Sequence, residues 1–338
     1  MAHQPPHSDT DPKKGALESQ GQNWDWTTYA KYRPAYPDSL FEALYAYHAA
    51  GAGAANTFGI AHDVGAGPGI VSARLAQRFD HVNVSDPHSE FLKIARTRLS
   101  APQPAPASEP YPPEGGGGNT EDATYIDLVI VAEALHWTDI PDAVAEFARR
   151  LKSGGTPCIV QYGPVWIMDD DDNNIMHAQQ IWESMFRDVI VRDIFFNGCG
   201  DPTGKEIYVR AARQCATGFD NVAFPPSAWR DDVVRVFTNT GDDRTRVGLV
   251  APDAGVGQEE DALGSGGADR RVFVEDDPER IVDGVDLAWL QGIFASFVPG
   301  RRAEEDLDRW KEMERALELA GGTVRVAWPS VRIFASRR

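Results

Sequence analysis

The chain has 338 residues, 42% hydrophobic and 25% charged, enough apolar material for one large domain or two small ones. Its 51 acidic residues outnumber 33 basic ones, a net charge of −18, which opposes nucleic acid as a partner because polyanion binding rests on basic clusters. No run of about 18 apolar residues is present to span a membrane; Cys158, Cys199 and Cys215 lack Cys-x-x-Cys spacing, so no metal or disulfide framework is expected and a reducing, cytoplasmic location is the default.

Residues 1–23 are polar and Pro-bearing, without the apolar core of a secretory signal, and read as a disordered tail before a domain spanning 24–338. Aromatic residues crowd around Arg33, and a helix is predicted over Ser39–Tyr47. Strands are predicted near 59–64, 81–85, 126–132 and 157–162, separated by helices near 70–79, 89–99 and 141–151. That alternation implies an α/β fold, a Rossmann-like parallel sheet with helices on both faces and a core over about 55–163. Ser100–Thr124 and Ala251–Asp277 are rich in turn-forming or acidic residues and read as flexible tracts. A helix-rich, substrate-covering insertion is expected over about 164–290. Its aromatic residues, among them Trp166, Trp182, Phe186, Phe195, Phe196, Phe219, Phe224 and Trp229, either fill an ordinary core or line an apolar pocket. Over 291–338 the sequence predicts a helix, Glu304–Ala320, stopped by Gly321-Gly322, then a hairpin-like pair, Thr323–Trp328 and Val331–Ala335.

The segment Asp63-Val64-Gly65-Ala66-Gly67-Pro68-Gly69 ends an apolar strand in an acid, turns on three glycines and opens a helix. Glycine has no side chain to hold a ligand away from the backbone. About 20 residues after Gly65 stands Asp86, at the end of the next strand, placed to take the two hydroxyls of an adenosine ribose. A dinucleotide site wants a small residue where this chain has Ile70, and a phosphate loop wants a Lys-Ser/Thr pair that is missing. An adenosine-containing cofactor of another kind is the reading that remains.

These residues resemble the class I S-adenosylmethionine-dependent methyltransferases. Asp63–Gly69 is similar to their first motif, and Val84-Ser85-Asp86-Pro87 to their ribose-binding second strand. The run Ile126–Trp137 is similar to their fourth strand and the loop after it, and Gly154-Gly155-Thr156 to the turn into their fifth. Tyr29–Pro37 and the His136-Trp137 pair look most like the fungal trans-aconitate methyltransferase-like group. The resemblance implies S-adenosyl-L-methionine as cofactor, held by Tyr29, Arg33, Asp63, Gly65, Gly67, Gly69, Asp86, Ala132 and Glu133. It further implies a small organic acceptor near Tyr32, Trp137 and Trp166, O-methylation of a carboxylate or hydroxyl, and a place in secondary metabolism.

Methyl transfer from a sulfonium is an in-line displacement that needs positioning rather than a metal. A general base helps only when the acceptor bears a proton. His136 is the candidate catalytic base or acceptor hydrogen bond, just past a strand end, with an ordinary imidazole titrating at about 6.5; the alternative is that His136 and Trp137 merely lock their loop. Arg33 either grips a carboxylate or stacks on Tyr36. His177 and the acids Asp169–Asp172 read as a solvated loop into a helix capped by Asn174 rather than as metal ligands. Two rival functions stay open: a cyclase or eliminase using the cofactor only as a fixed charge, and a non-catalytic cofactor-binding subunit.

Overall fold

A computed structural model describes residues 31–51, 58–100, 126–168, 172–188, 202–216, 218–241, 247–248, 269–297 and 306–338. The expected tail, the Ser100–Thr124 tract, Tyr29, Phe195, Phe196 and Cys199 lie largely or wholly outside those residues.

Helix α1 (Asp38–Gly51) precedes β1 (Ile60–Val64), α2 (Ile70–Leu75), β2 (His81–Ser85), α3 (Ser89–Ser100), β3 (Ile126–Ala132), α4 (Ile140–Arg150) and β4 (Leu151–Tyr162). This half follows the predicted alternation. β1 lies parallel to both β2 and β3, and β3 parallel to β4. Every residue of β3 is buried, as a strand covered on both faces requires. Its Asp127 ties the lower edge together, accepting from the Ile60 N–H at 2.8 Å and from Lys152 Nζ at 2.7 Å. Helix α4 begins where the Asp139 carboxylate accepts the Asp142 N–H, and it buries Ile140, Val144, Phe147 and Ala148, one face at helical spacing.

The second half departs from expectation in three places. β5 (Trp166–Ile167), α5 (Asn173–Met185) and α6 (Pro202–Cys215) are followed by two strands, β6 (Val234–Thr238) and β7 (Arg270–Val274). The insertion is therefore not simply helical, because these strands join the main sheet. After β8 (Ile281–Val285), α7 (Leu287–Phe297) and α8 (Leu307–Leu319) come β9 (Val324–Ala327) and β10 (Ser330–Phe334). The main sheet runs β2-β1-β3-β4-β10-β6-β7, and β5, β9 and β8 form a second, three-stranded sheet. β9 and β10 thus belong to different sheets and are not a hairpin: Trp328-Pro329 carries the chain from one to the other. Finally, Arg270–Val274, inside a tract read as flexible, pairs in parallel with β6 while Phe273 stacks on Phe237 at 5.3 Å.

Helix α8 stops as the sequence predicts. Gly321, at φ 99°, lets the Gly322 N–H reach the Leu317 carbonyl at 2.7 Å and its own N–H reach that of Glu318 at 3.2 Å. The cap of α5 is Asp172, not Asn174: its carboxylate accepts the Asn174 N–H at 2.7 Å. Among the aromatics of the insertion, Trp182 and Phe186 are interior to the cluster of α5, α7 and α8, and Phe219, Phe224 and Trp229 to the cluster against α4. Those five are core, the commoner fate of large apolar side chains.

Candidate active site

β1, β2 and β3 run parallel and end on the same edge of the sheet, where Gly65, Gly67, Gly69, Asp86, Ala132, Glu133 and His136 follow them. After Val64 the backbone enters the left-handed region at Gly65 (φ 69°), Gly67 (φ 53°) and Gly69 (φ 78°). The Gly65 and Ala66 N–H groups both donate to the Ser85 carbonyl, at 2.8 and 3.0 Å, which lashes the loop to the end of β2. Asp86 follows: its Oδ2 accepts the Gly67 N–H at 2.9 Å and its Oδ1 the His88 N–H at 2.8 Å. The acid that was matched to the glycines by distance along the chain is therefore bonded to them. Asp86 stays half-buried, with lone pairs left over for hydroxyl donors.

Asp63 points the other way. It is 1% exposed and accepts the Ser72 hydroxyl at 2.5 Å; burial pushes its carboxyl up to about 7 despite that bond. It braces α2 from beneath the loop through Ser72. Ala132 is buried at the end of β3. Glu133, next along, is a non-glycine residue in the left-handed region (φ 57°), a conformation that costs energy and marks functional bends. Its Oε1 accepts the Tyr162 N–H at 2.5 Å and its Oε2 the Gln161 side-chain amide at 3.3 Å. Loss of hydration raises its carboxyl to about 8, against the pull of the Tyr162 N–H, Arg33 and Arg280.

His136 sits in a short 3-10 turn, Leu135–Trp137, and is 3% exposed. Its Nδ1 lies 3.0 Å from Gln161 Oε1, and its ring contacts those of Trp137 and Phe219. Burial lowers the imidazole to about 4, with Arg33 pushing the same way and Gln161 opposing, so it is neutral at pH 7. A general base works best with a pKa near the operating pH. Here the geometry favours a fixed, neutral imidazole.

Arg33 reaches α7: its Nη2 donates to the Ser296 carbonyl at 3.2 Å, and its guanidinium lies over Phe297 at 3.4 Å, with Tyr162 at 5.9 Å. Phe297 is a stacking partner of Arg33 that the sequence did not suggest. Tyr32 packs edge-on to Trp289 at 6.2 Å and against Gly292, where a Cβ would lie 2.1 Å from its ring. Trp137 is half-buried, its carbonyl accepting from Arg210 at 3.3 Å, and Trp166 pairs with Ala327 in the smaller sheet. His177 pairs with Glu312 at 3.1 Å. Gln161, which joins His136 to Glu133, was missed in the sequence. Its signal was a lone amide in the apolar run Cys158–Tyr162.

A nucleoside cofactor can be tested against the loop itself. A Cβ on Gly65 would collide with the Ala134 Cβ at 2.3 Å, whereas one on Gly67 would meet nothing within 4 Å. Gly65 thus closes the loop onto the fold, while Gly67 turns its bare face to open space beside Asp86. A backbone cradle and a neighbouring carboxylate suit a ribose-bearing ligand.

This fold and site define a Rossmann-like nucleoside-binding enzyme. A methyltransferase-domain family matches residues 62–159, the span from the glycine loop to β4. Over 337 residues the chain is 30% identical to the methyltransferase ptaI of Pestalotiopsis fici, covering 93% of each chain. It is 29% identical to the methyltransferase AacuQ of Aspergillus aculeatus, covering 95% of this chain and 96% of that one. A solved type II methyltransferase from Anaeromyxobacter dehalogenans superposes with a TM-score of 0.48 at 19% identity, over 89% of this chain and 97% of the other. The chain belongs to the methyltransferases, in class I, and is an S-adenosylmethionine-dependent enzyme. No helix among the described residues is long and apolar enough to cross a membrane.

Proposed function

We propose that this enzyme methylates a small organic acceptor, at a carboxylate or hydroxyl oxygen, in a fungal-type secondary pathway. The cofactor supplies an electrophilic methyl carbon on a sulfonium. Asp86 takes the ribose hydroxyls, the Gly65–Gly69 backbone lies along the nucleoside, and Arg33, with Tyr29 before it, receives the amino-acid end together with Ala132 and Glu133. Asp63 acts beneath them by fixing α2. His136, kept neutral by burial and fixed in orientation by Gln161, orients the acceptor side with Tyr32 and Trp137 rather than removing a proton. Holding the reacting atoms in line and excluding water can account for about 7–11 kcal/mol of a displacement barrier. The observation that carries this reading is the bond from the Gly67 N–H to Asp86 Oδ2, which fuses cradle and acid into one site.

The test is a labelled-methyl assay against a panel of carboxylic acids and phenols. Label should appear in an organic-extractable ester or ether with stoichiometric formation of S-adenosylhomocysteine. Turnover of an acceptor without cofactor consumption would replace transfer by cyclisation or elimination.

A further inference from the structure

We propose that Arg280 anchors the acceptor subsite and that the acceptor carries a carboxylate which this guanidinium holds; the inference rests on the methyltransferase reading above. Arg280 ends a 3-10 turn, Pro278–Arg280, before β8 and is 1% exposed. Among the described residues none of Nε, Nη1 and Nη2 has a hydrogen-bond partner. A buried guanidinium left unpaired is strongly unfavourable, so its retention asks for a ligand. Arg235 shows how this fold treats a structural arginine. Equally buried, it gives Nε to Asp269 at 2.8 Å, Nη1 to the Phe219 carbonyl at 2.8 Å and Nη2 to that of Val222 at 2.6 Å.

The surroundings of Arg280 are rich in donors and short of acceptors. Arg332 Nε, Asn239 Nδ2 and the Ser330 hydroxyl are likewise buried without hydrogen-bond partners among the described residues. They belong to one neighbourhood. Ser330 lies opposite both Tyr162 and Thr238 in the sheet, and Arg332 Nη2 donates to Thr238 Oγ1 at 3.1 Å. Asn239 Oδ1 accepts the Asp277 N–H at 3.0 Å, at the head of the turn that ends in Arg280. The Arg280 carbonyl accepts the Trp328 N–H at 2.8 Å, and the Trp328 ring packs edge-on to Tyr162 at 5.5 Å. The neighbouring acids are already engaged: Glu133 with Tyr162 and Gln161, Asp277 with the Glu279 N–H and, at 4.0 Å, Arg332. Burial, with Arg332 pushing the same way, lowers the pKa of the Arg280 guanidinium, as expected of a cation short of partners.

A carboxylate is acceptor-only and planar, and it matches a guanidinium fork with two parallel bonds. Tyr32, Tyr36, Trp289 and Phe297, half-buried against the cluster that holds Tyr162 and Trp328, suit an aromatic body behind it. A carboxylate also requires no base, in agreement with a neutral His136.

The experiment uses the full chain saturated with S-adenosylhomocysteine and titrated with benzoate or, as a neutral isostere, benzamide. Benzoate should raise the melting temperature and benzamide should not. Arg280→Met should abolish the benzoate response, at least a tenfold weaker Kd, while S-adenosylhomocysteine binds within twofold of wild type and the unliganded melting temperature holds or rises. Should the Met variant fail to fold, Arg280→Lys keeps the charge, and a weakening of at least fivefold is expected. Equal responses to the two probes, no benzoate response in wild type, benzoate binding kept by the variant, or a tenfold loss of S-adenosylhomocysteine affinity would each overturn the assignment. Failure of wild type to bind S-adenosylhomocysteine would instead remove the cofactor reading on which it rests.

Discussion

Replacing Gly67 and Gly65 by alanine separates what the loop does for the fold from what it does for the ligand. Both positions have positive φ, where an L-residue costs about 1–2 kcal/mol. Loss of glycine freedom in the unfolded chain returns about 0.4–1 kcal/mol. At Gly67 the new methyl meets nothing within 4 Å, so the net loss of stability should be about 1 kcal/mol. At Gly65 it would lie 2.3 Å from the Ala134 Cβ, and overpacking adds about 1–3 kcal/mol. Urea unfolding should therefore rank Gly65→Ala well below Gly67→Ala. Calorimetric titration with S-adenosylhomocysteine should show Gly67→Ala folded but at least tenfold weaker in binding, because its methyl projects into the space the nucleoside takes. A folded Gly67→Ala that binds like wild type would refute the claim that the ligand lies against this backbone.

Two pH-dependent outcomes follow from the buried acids and base. Asp63 holds its proton to about pH 7 in the native state but ionises near 3.8 when unfolded, so its contribution declines as pH rises between those values. Asp63→Asn should gain about 2–3 kcal/mol relative to wild type between pH 5 and 8 in urea unfolding; a constant difference would mean that Asp63 is ionised in the fold. His136 is the opposite case. Its native pKa, about 4, lies below the unfolded 6.5, so stability present above pH 6.5 is lost as pH falls toward 4. Wild type should lose about 2 kcal/mol relative to His136→Asn from pH 7 to 5. The variant should keep the shape of the pH–rate profile, and disappearance of an ionisation near 6.5 would restore His136 as a base.

The first half of the fold was legible because its signals are local. Asp63–Gly69 are consecutive, Asp86 ends the very next strand, and the helices between strands carry single apolar faces. What escaped depends on contacts made at long range. β9 and β10 are adjacent in sequence and read as a hairpin, yet each finds its partners elsewhere, β8 and β5 for one, β4 and β6 for the other. β7 carries a strand-forming run, Val272-Phe273-Val274, but it is only three residues long and follows an acidic, glycine-rich tract, so the tract's composition outweighed it. Gln161 was visible as a lone amide in an apolar strand. Arg280 was not visible at all: only the folded chain shows that it is buried and that no described neighbour hydrogen-bonds its guanidinium. The motif fixes where Asp63 stands in the chain, whereas Ser72, seen only in the fold, engages its carboxylate.

The account depends most on Asp86 and the glycine loop acting as one receptor for the nucleoside, and titrating S-adenosylhomocysteine into wild type and Asp86→Ala tests that directly. Wild type should give a saturable one-to-one isotherm in the micromolar range, and the variant should bind at least tenfold more weakly. No heat of binding in wild type, or equal affinity in the two proteins, would contradict it.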